Sequence, residues 1–242
     1  MADRFYARFN LSREDFLVYK DEFDAFQNER AEMLKKEFPD AEKTLGNKKV
    51  LFIGDSISSD NLGYRISVSL AAKLQAINGS RSSSTSATLT NSSLELIEGM
   101  RPEIVSIMLG TNDSISIKSL GANTVAIEEY ASNMRKIIAK SKEVGAKVLL
   151  FEIPLVEEKL FTAYFTERGK FQSNECVRAY NRRLSEIAAE ENIALLNHEW
   201  LKGDELSQFF EPDGVHLSIY AHKLFAKAWL LKANKLIKGA NI

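Results

Sequence analysis

The chain has 242 residues, of which 45% are hydrophobic and 27% charged, and 32 Lys and Arg side chains nearly balance 33 Asp and Glu. This length and composition are typical of one soluble globular domain, and the net charge of −1 gives no surplus that would favour nucleic acid or an anionic membrane as partner. The single cysteine excludes an intrachain disulfide and a zinc site of the CxxC type.

The first predicted element is a helix over residues 12–38, with Ser12 as its cap and Pro39 ending it. Its apolar face is predicted to consist of Phe16, Tyr19, Phe23, Phe26, Met33 and Leu34. Because such a face must be covered, we expect the helix to dock on the rest of the chain, with a dimer or partner surface as the alternative. The predicted organisation is therefore a helical extension over residues 1–47, packed on a domain over residues 48–242.

The N-terminal segment lacks the uninterrupted apolar stretch of a signal peptide, and no run approaches the roughly 20 apolar residues of a membrane span. We therefore expect a cytoplasmic protein that does not bind membranes.

Short apolar runs and segments of helical periodicity alternate along the rest of the chain. The predicted strands are residues 50–53, 74–77, 104–109, 147–153 and 193–196, and the predicted helices are residues 59–70, 87–100, 126–144, 174–191 and 218–238. This alternation predicts an α/β fold with a mostly parallel, five-stranded sheet covered on both faces. In such sheets, functional residues collect at the carboxyl ends of the strands.

The connection over residues 154–172 is long for an α/β fold and carries four aromatic residues, Phe161, Tyr164, Phe165 and Phe171. It has two interpretations: a lid or binding loop, or a segment whose aromatics cover an edge of the core or form a dimer contact.

Three polar motifs fall at predicted strand ends or before the last helix: GDS at 54–56, GTND at 110–113 and DGVH at 213–216. Ser56 by itself has two interpretations, a helix cap or a nucleophile at the start of a helix, where free N–H groups favour a developing negative charge. A serine nucleophile needs a base and a group that orients the base. Asp213 and His216, three residues apart in one turn, are able to supply both.

In this order, the three motifs resemble the SGNH (GDSL) hydrolase family, and the resemblance extends over residues 48–235. It implies a flavodoxin-like three-layer α/β/α sandwich and ester hydrolysis through an acyl-enzyme. By this resemblance Ser56 is the nucleophile, His216 the general base and Asp213 its orienting acid. The implied oxyanion hole consists of the backbone N–H of Ser56, a backbone N–H of the family's second sequence motif (the second block) and the side-chain amide of Asn112.

The second block of the family usually contains a glycine, and the best match here, NGSRSSST at 78–85, places Ser83 at that position. A backbone N–H needs no particular side chain, so Ser83 remains able to donate. If the position requires a positive φ, however, a serine is strained there. A shift of one residue in the comparison assigns the role to Ser82 or Ser84 instead.

The leading hypothesis is therefore a serine esterase that acts on a small or carbohydrate-linked acyl ester, with O-acetyl as the favoured group. Acyl transfer through the same acyl-enzyme is the second hypothesis, and a non-catalytic binding domain of the same fold is the third. No metal or cofactor is expected, because the three histidines are scattered and GDSISSD matches no phosphate-binding loop. The sequence leaves a homo-oligomer open.

Overall fold

The structure is a computed structural model that describes residues 13–60, 63–198 and 206–239. This part of the chain contains eight strands and nine α-helices. The strands are β1 (Lys49–Gly54), β2 (Gln75–Asn78), β3 (Ile104–Met108), β4 (Ser116–Ile117), β5 (Ala122–Asn123), β6 (Lys147–Phe151), β7 (Lys170–Phe171) and β8 (Ala194–Leu196). The helices are α1 (Arg13–Glu37), α2 (Ala41–Leu45), α3 (Ser56–Ser59), α4 (Tyr64–Ala72), α5 (Ser86–Met100), α6 (Ile127–Glu143), α7 (Glu158–Phe165), α8 (Asn174–Glu190) and α9 (Ile219–Lys238).

Five of the strands form the central parallel sheet, in the order β2-β1-β3-β6-β8. Along β1, Val50 and Phe52 face one apolar core, whereas Leu51 and Ile53 face the other. The first core is closed by α1, α2, α4 and α9, and the second by α5, α6 and α8. The predicted three-layer, flavodoxin-like α/β/α fold is confirmed, since this strand order is the flavodoxin order.

The predicted helix over residues 59–70 is wrong in its first turn. Asp60 ends α3 with an extended backbone, and α4 begins only at Tyr64, after Gly63 in its cap position. The periodicity of the side chains continues through this break, so hydrophobic spacing alone does not reveal it.

Helix α1 packs against α4 with a face that overlaps the predicted one only in part. Leu34 of the predicted face is buried, as is Ala31, and Gln27 accepts a hydrogen bond from Ser67 Oγ at 3.1 Å. Arg30 is buried on the same face. These positions follow the i, i+3, i+4, i+7 spacing of one helix face.

Of the other predicted residues that are described, Phe26 is half-buried at the edge of this face, whereas Met33 is exposed, so the prediction is wrong for Met33. Ser12 and the side chains of Phe16, Tyr19 and Phe23 fall outside the described part of the protein. The division into an extension and a domain at residue 47 stays a prediction.

The aromatic connection between β6 and α8 contains α7, a 3-10 turn (Thr166–Arg168) and β7, which joins β4 and β5 in a small antiparallel sheet. Phe161 is buried in a separate apolar cluster with Ile115, Val156 and Val215. Tyr164 is half exposed. The connection is thus a packed substructure in which Phe161 covers a core. Across the described ranges, no helix combines the length and apolar character needed to cross a membrane.

Candidate active site

The turn after β1 places Ser56 at the start of a helix. Asp55 is the cap of α3, since its Oδ1 accepts the N–H of Ile57 at 3.1 Å, and Ser56 is the first helical residue. Gly54 is required by close packing rather than by its φ, because a Cβ there would lie 2.4 Å from Met108 O and from Ser58 Oγ. The N–H of Ser56 is one of the first helical N–H groups, which have no acceptor within the helix.

The loop before α9 brings Asp213 and His216 to Ser56. His216 Nδ1 lies 2.5 Å from Asp213 Oδ2, and His216 Nε2 lies 2.8 Å from Ser56 Oγ. Asp213 Oδ1 also accepts the backbone N–H groups of Val215 and His216, each at 3.0 Å. The three side chains predicted from the motifs therefore form one continuous chain of hydrogen bonds, with Asp213 fixed by its own turn.

Gly214 gives this turn its shape and its contact with α7. Its φ is +73°, and its carbonyl accepts the N–H of Glu157 at 2.9 Å. A Cβ at this position would lie 2.6 Å from both Glu157 O and Phe161 N. The beginning of α7 thus supports the loop of Asp213 and His216 from behind. No sequence signal indicates this contact, because 57 residues separate Glu157 from Gly214 and no motif links them.

The carboxylate of Asp213 stabilises the protonated form of the His216 imidazole. The hydrogen bond from His216 to Asp213 raises the pKa of His216, and partial burial offsets only part of this effect. For Asp213, burial alone would raise the pKa, but the hydrogen bonds from His216 and from the two backbone N–H groups outweigh it, so the pKa is lowered. Burial raises the pKa of Asp55, the carboxylate beneath Ser56.

The segment after β2 continues beside the end of β1. Gly79 N donates to Phe52 O at 2.8 Å and Arg81 N donates to Gly54 O at 3.0 Å. A turn follows, closed by Ser84 N and Arg81 O at 3.3 Å, and its third residue, Ser83, has a φ of +60°. A positive φ at that position alone is typical of a type II turn, which favours glycine there. Position 83 therefore has a positive φ, the case in which a serine is strained there.

The hydrogen bonds of this turn indicate which of Ser82, Ser83 and Ser84 has a backbone N–H available for an oxyanion. The N–H of Ser84 is occupied by Arg81 O, whereas those of Ser82 and Ser83 have no acceptor in the described ranges. Asn112 Nδ2 donates to Ser84 O at 2.9 Å, which joins the second block to GTND. One amide hydrogen of Asn112 remains for another acceptor.

The other two histidines lie apart from this chain of hydrogen bonds. His198 follows β8, and burial lowers its pKa to about 4. His222 is buried in α9, where its Nδ1 accepts the N–H of Tyr64 at 3.3 Å, as expected for a packing role. Within the described residues, no three His, Cys, Asp or Glu side chains are grouped as metal ligands would be.

Residues 52–224 match the model of the GDSL-like lipase/acylhydrolase family. The chain belongs to this family. The GDSL motif reads GDSI here, at residues 54–57.

Proteins of known name resemble this chain over different spans. The rice (Oryza sativa subsp. japonica) GDSL esterase/lipase WDL1 is 29% identical over 132 residues, which are 52% of this chain and 51% of that protein. An acetylxylan esterase of Geobacillus stearothermophilus is 25% identical over 213 residues, 76% of this chain and 92% of that protein. The crystal structure of TesA superimposes with a TM-score of 0.59 and 26% identity, covering 77% of this chain and 98% of that one. The chain spans about half the length of the plant relatives it matches.

Proposed function

We propose that this GDSL-family protein is a serine ester hydrolase that works through an acyl-enzyme. The continuous chain of hydrogen bonds from Ser56 Oγ through His216 to Asp213 is the observation that supports it most. A helix-capping serine needs no imidazole at 2.8 Å, and in this turn the cap is Asp55.

In the first half-reaction, neutral His216 is protonated on Nδ1, which donates to Asp213, and its Nε2 accepts the Ser56 proton. Ser56 Oγ attacks the ester carbonyl carbon, and the carbonyl oxygen becomes an oxyanion. The tetrahedral intermediate collapses when the bond to the alcohol oxygen breaks, and His216 gives its proton to that oxygen. Asp213 holds the imidazole in the required tautomer and stabilises the imidazolium that forms in between.

In the second half-reaction, a water molecule replaces the alcohol. His216 removes a proton from the water, the hydroxyl adds to the acyl carbon, and collapse returns the proton to Ser56 Oγ and releases the carboxylic acid. In both steps the oxyanion is bound by the N–H groups of Ser56 and Ser83 and by the Asn112 amide. Loss of one such donor typically slows turnover about 10²–10³-fold.

The favoured substrates are small acyl esters, O-acetyl groups on a carbohydrate among them. Similarity to the acetylxylan esterase of Geobacillus stearothermophilus supports this choice.

Hydrolysis of p-nitrophenyl acetate, butyrate and octanoate, and of acetylated xylooligosaccharides, tests the proposal. We expect turnover of the acetyl esters, and a fall on the order of 10⁶-fold in Ser56→Ala. Ser59→Ala is the matched control, since it removes a serine from the same short helix and should keep its activity. The proposal is wrong if the wild type and Ser56→Ala are equally inactive on the whole panel.

A fluorophosphonate probe separates an esterase from a binding domain of the same fold. We expect labelling of the wild type and of Ser59→Ala, and none of Ser56→Ala. Product analysis with added alcohols then distinguishes hydrolysis from acyl transfer, because a transferase yields a new ester in place of free acid.

A further inference from the structure

Asp113, the last residue of GTND, is a fully buried carboxylate with a defined set of partners. Each of its oxygens lies 3.0 Å from the backbone N of Ser86, and Oδ1 accepts the Ser86 hydroxyl at 2.5 Å. Asn133 Nδ2 in turn donates to Ser86 Oγ at 3.2 Å. The hydroxyl of Ser86 therefore accepts from α6 and donates to Asp113.

Through these contacts, two adjacent residues of GTND hold Ser84 in the second block and Ser86, the first residue of α5. Asn112 holds the carbonyl of Ser84, and Asp113 holds the N–H and hydroxyl of Ser86. Between them, Thr85 caps α5. Ser83 adjoins this pair of contacts and has the unfavourable φ of +60°.

A non-glycine residue in this conformation costs about 1–2 kcal/mol, and such strain persists only where the surroundings fix the backbone. Here the backbone around Ser83 is fixed by hydrogen bonds to its neighbours. Arg81 O accepts the N–H of Ser84, Asn112 donates to Ser84 O, and Asp113 accepts the N–H of Ser86.

We propose that Asp113 is a positioning residue, which through Ser86 holds the N–H of Ser83 and the Asn112 amide in place as donors to the oxyanion. This inference rests on the proposed ester hydrolysis. It assigns to Asp113 a role in catalysis without contact with substrate.

The burial of the Asp113 carboxylate agrees with a positioning role. Burial raises the pKa of Asp113 to about 6, and the nearby Asp55 also opposes its ionisation, whereas the hydrogen bonds from Ser86 favour the carboxylate. A helix start requires no buried acid, because a neutral side chain caps it equally well. A carboxylate, however, accepts from both the N–H and the hydroxyl of Ser86 at once.

Asp113→Asn tests the proposal, because it keeps the shape of the side chain but replaces one of the two oxygens, each 3.0 Å from the backbone N of Ser86, with an NH2 group that cannot accept a hydrogen bond. The readout compares p-nitrophenyl acetate with p-nitrophenyl thionoacetate. The sulfur of the thionoester is a larger and weaker acceptor, so its reaction depends less on oxyanion donors. We expect kcat for the oxygen ester to fall about 10–100-fold with KM little changed, and kcat for the thionoester to fall less than about threefold.

Two further variants complete the experiment. Ser86→Ala removes only the hydroxyl, and we expect an intermediate loss of kcat, about 3–10-fold, again mainly on the oxygen ester. Ser141→Ala is the matched control, since Ser141 is a fully buried serine of α6 whose hydroxyl donates to Ile137 O at 2.8 Å and not to GTND. It should leave both rates within about twofold.

Equal losses on the two esters in Asp113→Asn, or an oxygen-ester rate within about twofold of wild type, would overturn the proposal. If Asp113→Asn does not fold, as judged by thermal unfolding, the ratio of the two rates in Ser86→Ala decides instead. A wild type that hydrolyses neither ester refutes the proposed function, and this inference with it.

Discussion

Replacing Gly214 with alanine should disrupt the active site while leaving all its side chains in the protein. The added Cβ would sit 2.6 Å from Glu157 O and Phe161 N and 2.8 Å from Leu160 Cβ. Two of these three are backbone atoms of the α7 segment, which cannot rotate away. The φ of +73° adds about 1–2 kcal/mol of strain, and overpacking adds about 1–3 kcal/mol.

The total of about 2–5 kcal/mol must be relieved by movement of the loop or of α7. A displacement of about 1 Å is enough to break the 2.8 Å contact between His216 Nε2 and Ser56 Oγ, and a misplacement of this size typically reduces turnover about 10²-fold. We therefore expect kcat on p-nitrophenyl acetate to fall by about that factor. Where the strain is retained instead, each kcal/mol should lower the melting temperature by about 2–4 °C.

Gly145→Ala is the matched control for this experiment. Gly145 has a φ of +82°, but a Cβ added there would have nothing within 4 Å, so this position carries the backbone strain without the contact. The variant should lose about 1–2 kcal/mol of stability and keep its turnover. If Gly214→Ala retains turnover within about threefold of wild type and loses no more stability than Gly145→Ala, the support of the loop by α7 is refuted.

Two further predictions concern the pH dependence and the second block. His216 acts as a base only when neutral and its pKa is raised, so kcat/KM should fall as the pH drops through a pKa above 6.5. Asp213→Asn removes the main cause of that shift, so the acid limb in a pH–rate profile should move to lower pH, while kcat falls on the order of 10⁴-fold. Ser83→Gly should relieve about 1–2 kcal/mol of strain against about 0.4–1 kcal/mol of extra unfolded-chain entropy. The free energy of unfolding measured in urea should therefore rise by about 0–1.6 kcal/mol, and turnover should be unchanged, because position 83 contributes only its N–H.

An acid limb that stays at the same pH in Asp213→Asn would show that another group controls it. A large loss of turnover in Ser83→Gly would mean that the serine side chain, and not the backbone, acts at this position.

The sheet was predictable because its strands are short apolar runs of the kind found in buried parallel sheets, and GDS and GTND fall at the ends of two of them. The contacts of Ser56, His216 and Asp213 agree with this pattern, although their roles stay proposals. The docking face of α1 was predictable only in part: Leu34 belongs to the predicted apolar face, but the buried Gln27 and Arg30 fit no hydrophobic pattern. The contact of Gly214 with α7 depends on the packing of two distant segments, and such contacts leave no local signal. The cytoplasmic location and any homo-oligomer also stay predictions.

The separation of Ser56 and His216 along the chain has a consequence for biosynthesis. The two residues are 160 positions apart, with the nucleophile at the end of the first strand and the base just before the last helix. During synthesis, the serine emerges long before its base, and a chain shorter than 216 residues lacks His216. Hydrolytic activity during refolding should therefore appear only when the last helix docks on the sheet, which makes turnover a direct signal for completion of the fold.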